Sequence, residues 1–456
     1  MSKSQEYPAP APATSRTRLF LLATWAVLTA ALIAFVATLG TNCPNADEWG
    51  FVPALTGNEP LGPWLWAQHN EHRLPLPRLV YYCLFRLTHD FRAGCFFQVG
   101  LLSATSLALM AVAARCRGRP HWADLFFPVS LLHAGHWENL LIGYNICFAM
   151  ILVLETAIGV IALATRESAL RSGAKIGILL VLLCLCGGGG VVAAMPVAIW
   201  LVFMAIREWK SRVAGAKASR SRAAILLAFA AFPLVYLAVY LQGYHRPGHH
   251  PELGEGGFAV VRVTGEVLAM AFGPAAARSW ILVAAGIVVL GFLTAFGLLR
   301  NRKSEETRRA SLGLLAVMAG IIGVALTIGL SRAGIDARNG LSSRYAYLTW
   351  PLLALAYLFW AQRGGWCGKW FPAGLCLAAA VAYPSNMFTG LMAGADIHRV
   401  LGEVEADAQS GLPPEIIVRR FDEGKMKFQK GQEQRAIRAM PMLKTARIGA
   451  FAEEKR

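Results

Sequence analysis

The chain has 456 residues, 56% of them hydrophobic and 16% charged, with a formal net charge of +17. Its apolar residues come in blocks about as long as a bilayer crossing, which excludes a soluble globular domain and indicates an all-α, polytopic membrane protein. The basic excess falls largely in short connections between those blocks, so it reads as a topology signal and not as a nucleic-acid surface. The nine cysteines lie mostly inside apolar stretches and suggest neither a disulfide framework nor a zinc pattern.

Residues 1–18 form a Pro/Ala/Ser arm ending in Arg16 and Arg18. It is expected to be a cytoplasmic tail, and the first span, 19–40, shows no cleavage site. Basic residues ahead of that span place the first loop, 41–92, outside the cytoplasm. Inside this loop LVYYCLF, between Arg78 and Arg86, is too short to cross and should lie on the membrane, with its aromatic rings at headgroup depth. Further spans are expected at 93–114, 122–135, 141–164, 175–187, 191–207, 223–242, 280–300, 311–330, 346–361 and 370–386, about eleven in all. Those at 122–135 and 175–187 are shorter than the ~20 residues of a straight crossing. With alternating spans, Arg115 and Arg117, Arg171 and Lys175, Arg207 and Lys210, Arg308 and Arg309, and Arg363 and Lys369 all fall on the cytoplasmic side. GGGG at 187–190 reads as a tight turn between two spans. The membrane domain therefore covers 19–386, and 387–456 is an extramembrane tail that odd parity places outside.

Chemically capable residues then gather on the outer face. Asp47 and Glu48 follow the first span closely enough for one carboxylate to sit at the membrane boundary, where partial desolvation would raise its basicity toward neutral pH. The competing reading is a solvated loop start. His69 and His72 in HNEHR stand three apart, a spacing that on a helix could share a metal, but no third ligand is marked. With Arg73, they suit hydrogen bonding to a sugar or phosphate, or a polar loop with no ligand. Glu138 in HWENL is either a site acid or part of an interfacial anchor in which Trp137 sits at headgroup depth and Asn139 caps the next helix. His245, His249 and His250 populate a later outer loop, with Glu252 and Glu255. Arg332, Arg338 and Arg344 share one short outer connection, where positive charge is disfavoured unless an anion holds it. That anion is a phosphate in one reading, and Asp336 or lipid headgroups in the other.

This arrangement resembles the C-type membrane glycosyltransferase superfamily, GT-C, and in particular its bacterial members related to lipopolysaccharide-core and protein mannosyl transferases. The resemblance rests on the acidic pair Asp47 and Glu48, the membrane-lying segment after it, the turn GGGGVVAAMP, a histidine-bearing outer loop and the late outer Arg344. It covers 19–386 in architecture, with HRLPLPRL standing where the family has a lysine-proline-proline segment. It implies transfer of a sugar from a polyprenyl-phosphate donor to a cell-envelope acceptor at the extracytoplasmic face of the inner (plasma) membrane, usually with inversion. Asp47 or Glu48 would be the catalytic acid position, serving as base or holding a divalent metal, with Arg344 on the donor phosphate and Glu138 an accessory acid. Membrane lipid is an expected partner and nucleic acid is not. A transporter or flippase of lipid-linked saccharides, which would place charges in mid-span, and an O-antigen-type polymerase are the alternatives.

Overall fold

The computed structural model describes residues 12–163, 169–210, 216–246, 256–300, 304–334, 338–423 and 432–452. These residues form helices and turns with no strand, as apolar runs in lipid require, because a helix pairs its own backbone groups. Helix α1 (Pro12–Leu39) leads into a loop bearing α2 (Val52–Leu55), α3 (Leu61–Trp66) and α4 (Pro75–Thr88). Helix α5 (Ala93–Arg117) precedes two short pieces, α6 (Phe126–Leu131) and α7 (Trp137–Leu140). The bundle continues with α8 (Ile146–Leu163), α9 (Ala169–Cys184), α10 (Gly188–Lys210) and α11 (Ala216–Tyr240). It closes with α12 (Gly257–Ala269), α13 (Trp280–Arg300), α14 (Glu305–Arg332), α15 (Ala346–Arg363) and α16 (Gly365–Gln409), followed by α17 (Pro414–Glu423) and α18 (Gln432–Ala446).

Eight of these helices, α1, α5, α8, α10, α11, α13, α14 and α16, are long and apolar enough to cross a membrane. Leu19, Val27, Leu234, Leu282, Phe292 and Val381 point outward from them, fully in the open. Apolar surface on that scale needs lipid against it, so the chain is a membrane-embedded helical protein. The three other expected spans take different forms. Helix α9 has 16 residues and α15 has 18, and the segment expected at 122–135 is not one helix.

That segment runs as a 3-10 turn (Trp122–Leu125), α6, a second 3-10 turn (Ala134–His136) and α7. It lies antiparallel to α15. Tyr357 donates to Asp124 at 2.7 Å, Trp350 Nε1 to Ser130 Oγ at 2.9 Å, the His136 and Tyr347 rings pack at 4.8 Å, and Asn139 Nδ2 donates to the Arg344 carbonyl at 3.2 Å. Pro128, Gly135 and the turn around His133 break the helix. Residues 130–136 of this broken segment are buried in protein, the setting in which irregular backbone is tolerated within a membrane protein. Helix α15 is correspondingly buried at every residue from Ala346 to Ala361, as expected of a helix that is apolar all round. At its far end Arg117 holds Asp124 through two bonds of 3.0 and 3.1 Å.

Two further differences shape the site. Helix α16 is continuous for 45 residues, about 68 Å at 1.5 Å per residue, and passes well beyond 386, where the last span was expected to end. Helices α17 and α18 then fold back so that α18 packs on the first loop, putting the C-terminal tail on the same side as that loop. Basic residues Arg117, Arg207, Lys210, Arg308 and Arg363 stand at helix ends remote from the loop; Arg166, Arg212, Lys303 and residues 1–11 lie outside the described residues.

Of the GGGG run, expected as a tight turn, only Gly187 lies in the turn, while Gly188, Gly189 and Gly190 begin α10. Gly187 has φ +114°, and a Cβ on Gly190 would stand 1.9 Å from the Leu183 carbonyl oxygen, so α9 and α10 meet backbone to backbone there. Gly190→Ala is expected to lower thermal stability by about 1–3 kcal/mol through overpacking. Gly286→Ala, which meets open space, should leave it unchanged or higher; a melting series in detergent compares the two.

Candidate functional site

The first loop is organised by Glu48. Its side chain is buried, and its two oxygens accept from Tyr81 Oη at 2.5 Å, Asn45 N–H at 2.9 Å and Tyr144 N–H at 3.1 Å. Those donors come from α4, from the start of the loop and from the turn before α8, so one carboxyl ties three segments together. Burial pushes its pKa up to about 7, against the lowering effect of the Tyr81, Asn45 and Tyr144 bonds. The basicity expected of the acidic pair is therefore found on Glu48, a residue enclosed by its three donors.

Asp47, one residue earlier on the 3-10 turn Ala46–Gly50, points the other way. His69 Nε2 lies 3.2 Å from Asp47 Oδ2, and Gln432 Nε2 donates to Oδ1 at 3.0 Å. The aspartate side chain is 31% exposed and the imidazole 9%, so the carboxylate is the open member of the pair. Burial raises the Asp47 pKa, but His69, Gln432 and the nearby Arg344 charge more than reverse this, leaving it below the usual carboxylate range. Asp47 is ionised at neutral pH, contrary to the expected upward shift. His69 is itself wedged between the rings of Phe51 and Tyr144, at 5.2 and 5.4 Å.

Arg344 closes the other side. It sits in the connection between α14 and α15 with its guanidinium 5.4 Å from the Tyr345 ring centre, and its charge reaches both Asp47 and Glu138. Glu138 Oε2 accepts from Ser342 Oγ at 2.6 Å, Ser343 Oγ at 3.0 Å and Arg344 N–H at 2.8 Å. Glu138 thus shapes the loop that presents Arg344, and Asn139, expected to cap the next helix, instead donates to the Arg344 carbonyl at 3.2 Å.

The remaining candidates take other positions. HNEHR is a tight turn, not a helix: His69 and His72 exchange backbone bonds of 2.7 and 2.8 Å around Asn70 at φ 48°. His69 faces Asp47 and His72 lies 3.5 Å from Glu71. Arg73 is buried, and its guanidinium donates to the carbonyls of Tyr240, Trp66 and Gln242 at 3.0, 2.8 and 2.7 Å, which makes it a brace of the loop and not a substrate contact. Arg78 does the same with the carbonyls of Trp64 and Ala67. Arg332 pairs with Glu71. Arg338 is exposed, and His245 is bound through its backbone to Gln68. Asp336, His249, His250, Glu252 and Glu255 lie outside the described residues.

Beneath the site, LVYYCLF forms part of α4, whose buried face carries Arg78, Tyr81 and Phe85. Leu79, Cys83 and Leu87 are exposed at four-residue spacing, an apolar stripe suited to lipid. An apolar cleft of about 950 Å³ lies elsewhere, between α13 and α16, and shares no residue with the Asp47 group.

Sequence reading missed Gln432, Ser342 and Ser343. The signal for Gln432 was present indirectly, in the Ala436, Ala439, Met440 and Leu443 spacing that makes α18 amphipathic. No group of three or more His, Cys, Asp or Glu among the described residues is placed to hold a metal ion, and Asp47 and His69 alone fall short of a ligand set. The chain matches no family model, no curated protein and no solved structure.

Because the Glu48 pKa is raised on folding, from 4.5 to about 7, its stabilising contribution is whole below about 4.5 and is lost as pH rises through 7. Thermal stability of the wild type is expected to fall between pH 5 and pH 8 by no more than ~1.4 kcal/mol per unit. Glu48→Gln should flatten that dependence while lowering stability by about 1–3 kcal/mol, since an amide cannot accept from all three donors.

Proposed function

We propose that the chain is a membrane glycosyltransferase that moves a sugar from a polyprenyl-phosphate donor to a cell-envelope acceptor. The observation that carries this reading is the ionised Asp47 carboxylate, 3.2 Å from His69 and within electrostatic reach of Arg344, at one end of the helical bundle beside the amphipathic helix α4. The resemblance to GT-C enzymes, with about eleven crossings and interfacial helices in the first loop, supports it. So do the basic helix ends remote from the site, which by the positive-inside rule favour a site at the extracytoplasmic face of the inner membrane and a cytoplasmic N-terminus.

In this mechanism the acceptor hydroxyl lies against the open oxygen edge of Asp47. As the acceptor oxygen bonds to the anomeric carbon, its proton passes to the carboxylate, and the anomeric carbon–oxygen bond to the phosphate breaks with its electron pair staying on the phosphate. Arg344 offsets the charge that develops on the departing phosphate, a role its bidentate donors suit. One carboxylate on the acceptor side and attack opposite the leaving group give inversion without a covalent intermediate.

Asp47→Asn is expected to lower transfer by ~10²-fold or more while the protein still inserts and folds. Consumption of polyprenyl-linked sugars by purified protein measures it, and full activity in this variant excludes the mechanism. Arg344→Ala should raise the KM for the lipid-phosphate donor by at least ~10-fold with little change for the acceptor. An equal effect on both substrates would remove Arg344 from the phosphate.

A further inference from the structure

We propose that the C-terminal helix α18 is part of the active site and that Gln432, its first residue, is the positioning residue that sets the orientation of the Asp47 carboxylate. This rests on the transferase reading for its catalytic consequence, though the contact itself stands on geometry. Asp47 sits on a single 3-10 turn, which leaves its side-chain rotamer to be chosen by partners. His69 Nε2 lies 3.2 Å from Oδ2 while Oδ1 accepts the Gln432 amide at 3.0 Å, so the Gln432 bond is the one that fixes the orientation of the carboxylate. Gln432 is only 6% exposed.

The amide is delivered by a docked helix. Ala436, Ala439, Met440 and Leu443 are buried, and α18 packs on the 3-10 turn that carries Asp47. The tail grips the first loop on both sides of the aspartate. Phe451 meets Trp49 edge to face at 6.2 Å, and Gly449, at φ +56°, comes so close that a Cβ there would stand 2.4 Å from the Asn42 carbonyl oxygen. The Arg435 side chain lies beside Gly50. A tail that served only to cover the loop would not need an uncharged hydrogen-bond donor aimed at the Asp47 carboxylate. The groups facing Asp47 are His69 from the 69–72 turn, Arg344 from the connection before α15, and Gln432; Glu48 faces away into Tyr81. Removing the amide donor takes away one of the influences that hold Asp47 below the usual carboxylate range.

The test uses full-length protein in lipid nanodiscs. Carbodiimide with glycine ethyl ester modifies the protonated carboxyl, and peptide mass spectrometry across pH gives the titration midpoint of Asp47 without any substrate. In Gln432→Leu and the isosteric Gln432→Glu, the midpoint is expected to move up by about half a unit or more. Sugar transfer is expected to lose ~10-fold or more in kcat, with the donor KM within about twofold. Arg435→Ala, on the same helix, should change neither. An unmoved midpoint and unchanged kcat in both Gln432 variants, with Asp47→Asn inactive, overturns the role of Gln432 and leaves the transferase reading standing. Full transfer by Asp47→Asn overturns the transferase reading and with it the catalytic part of this proposal.

Discussion

A carboxyl group buried without a counter-charge has to be met by hydrogen-bond donors, and the first loop of this protein is built around that requirement at Glu48. Tyr81, Asn45 and the Tyr144 amide converge on it. Each lost partner would leave a buried polar group unpaired, at a cost of about 1–3 kcal/mol. Because adjacent residues on a tight turn project in different directions, fixing Glu48 inward turns Asp47 outward. The open carboxylate is thus a consequence of the closed one, and the two acids that look equivalent in the chain have opposite environments.

The same logic extends outward from the loop. Arg73 and Arg78 give their guanidinium donors to backbone carbonyls and rest against Trp66, and against Phe51 and Trp64. They satisfy an irregular loop that has few regular backbone bonds of its own. His69 is then held at the correct height by aromatic packing. The polar knot HNEHR that stands out in the sequence is mainly scaffolding: one of its side chains, His69, reaches Asp47, while its arginine and its second histidine secure the turn and its surroundings. On the opposite wall, the interrupted segment before α8 delivers Glu138 to the 342–344 loop, where it accepts from Ser342, Ser343 and the Arg344 N–H and so fixes the backbone that carries Arg344.

Much of the site could be picked out as candidate residues but not assigned roles. Asp47, His69 and Arg344 were identifiable from type and placement after or before apolar blocks. Which of Asp47 and Glu48 is open was not, because that depends on Tyr81 and Tyr144, donors with no local signature. Glu138 was equally ambiguous, since its three partners lie more than 200 residues away. Gln432, 385 residues from Asp47, was beyond reach until the tail was seen to fold back.

The sequence by itself determined that this is an all-helical membrane protein, where its long apolar helices fall and that a glycine turn separates α9 from α10, because hydropathy and period act locally over one or two dozen residues. Only the tertiary structure decided that 122–135 folds as broken pieces along α15, that α16 runs on past the expected span, that the tail returns to the first loop, and that Asp47 and not Glu48 faces the open. These depend on contacts between segments far apart in the chain, where burial and hydrogen-bond satisfaction outweigh local preference.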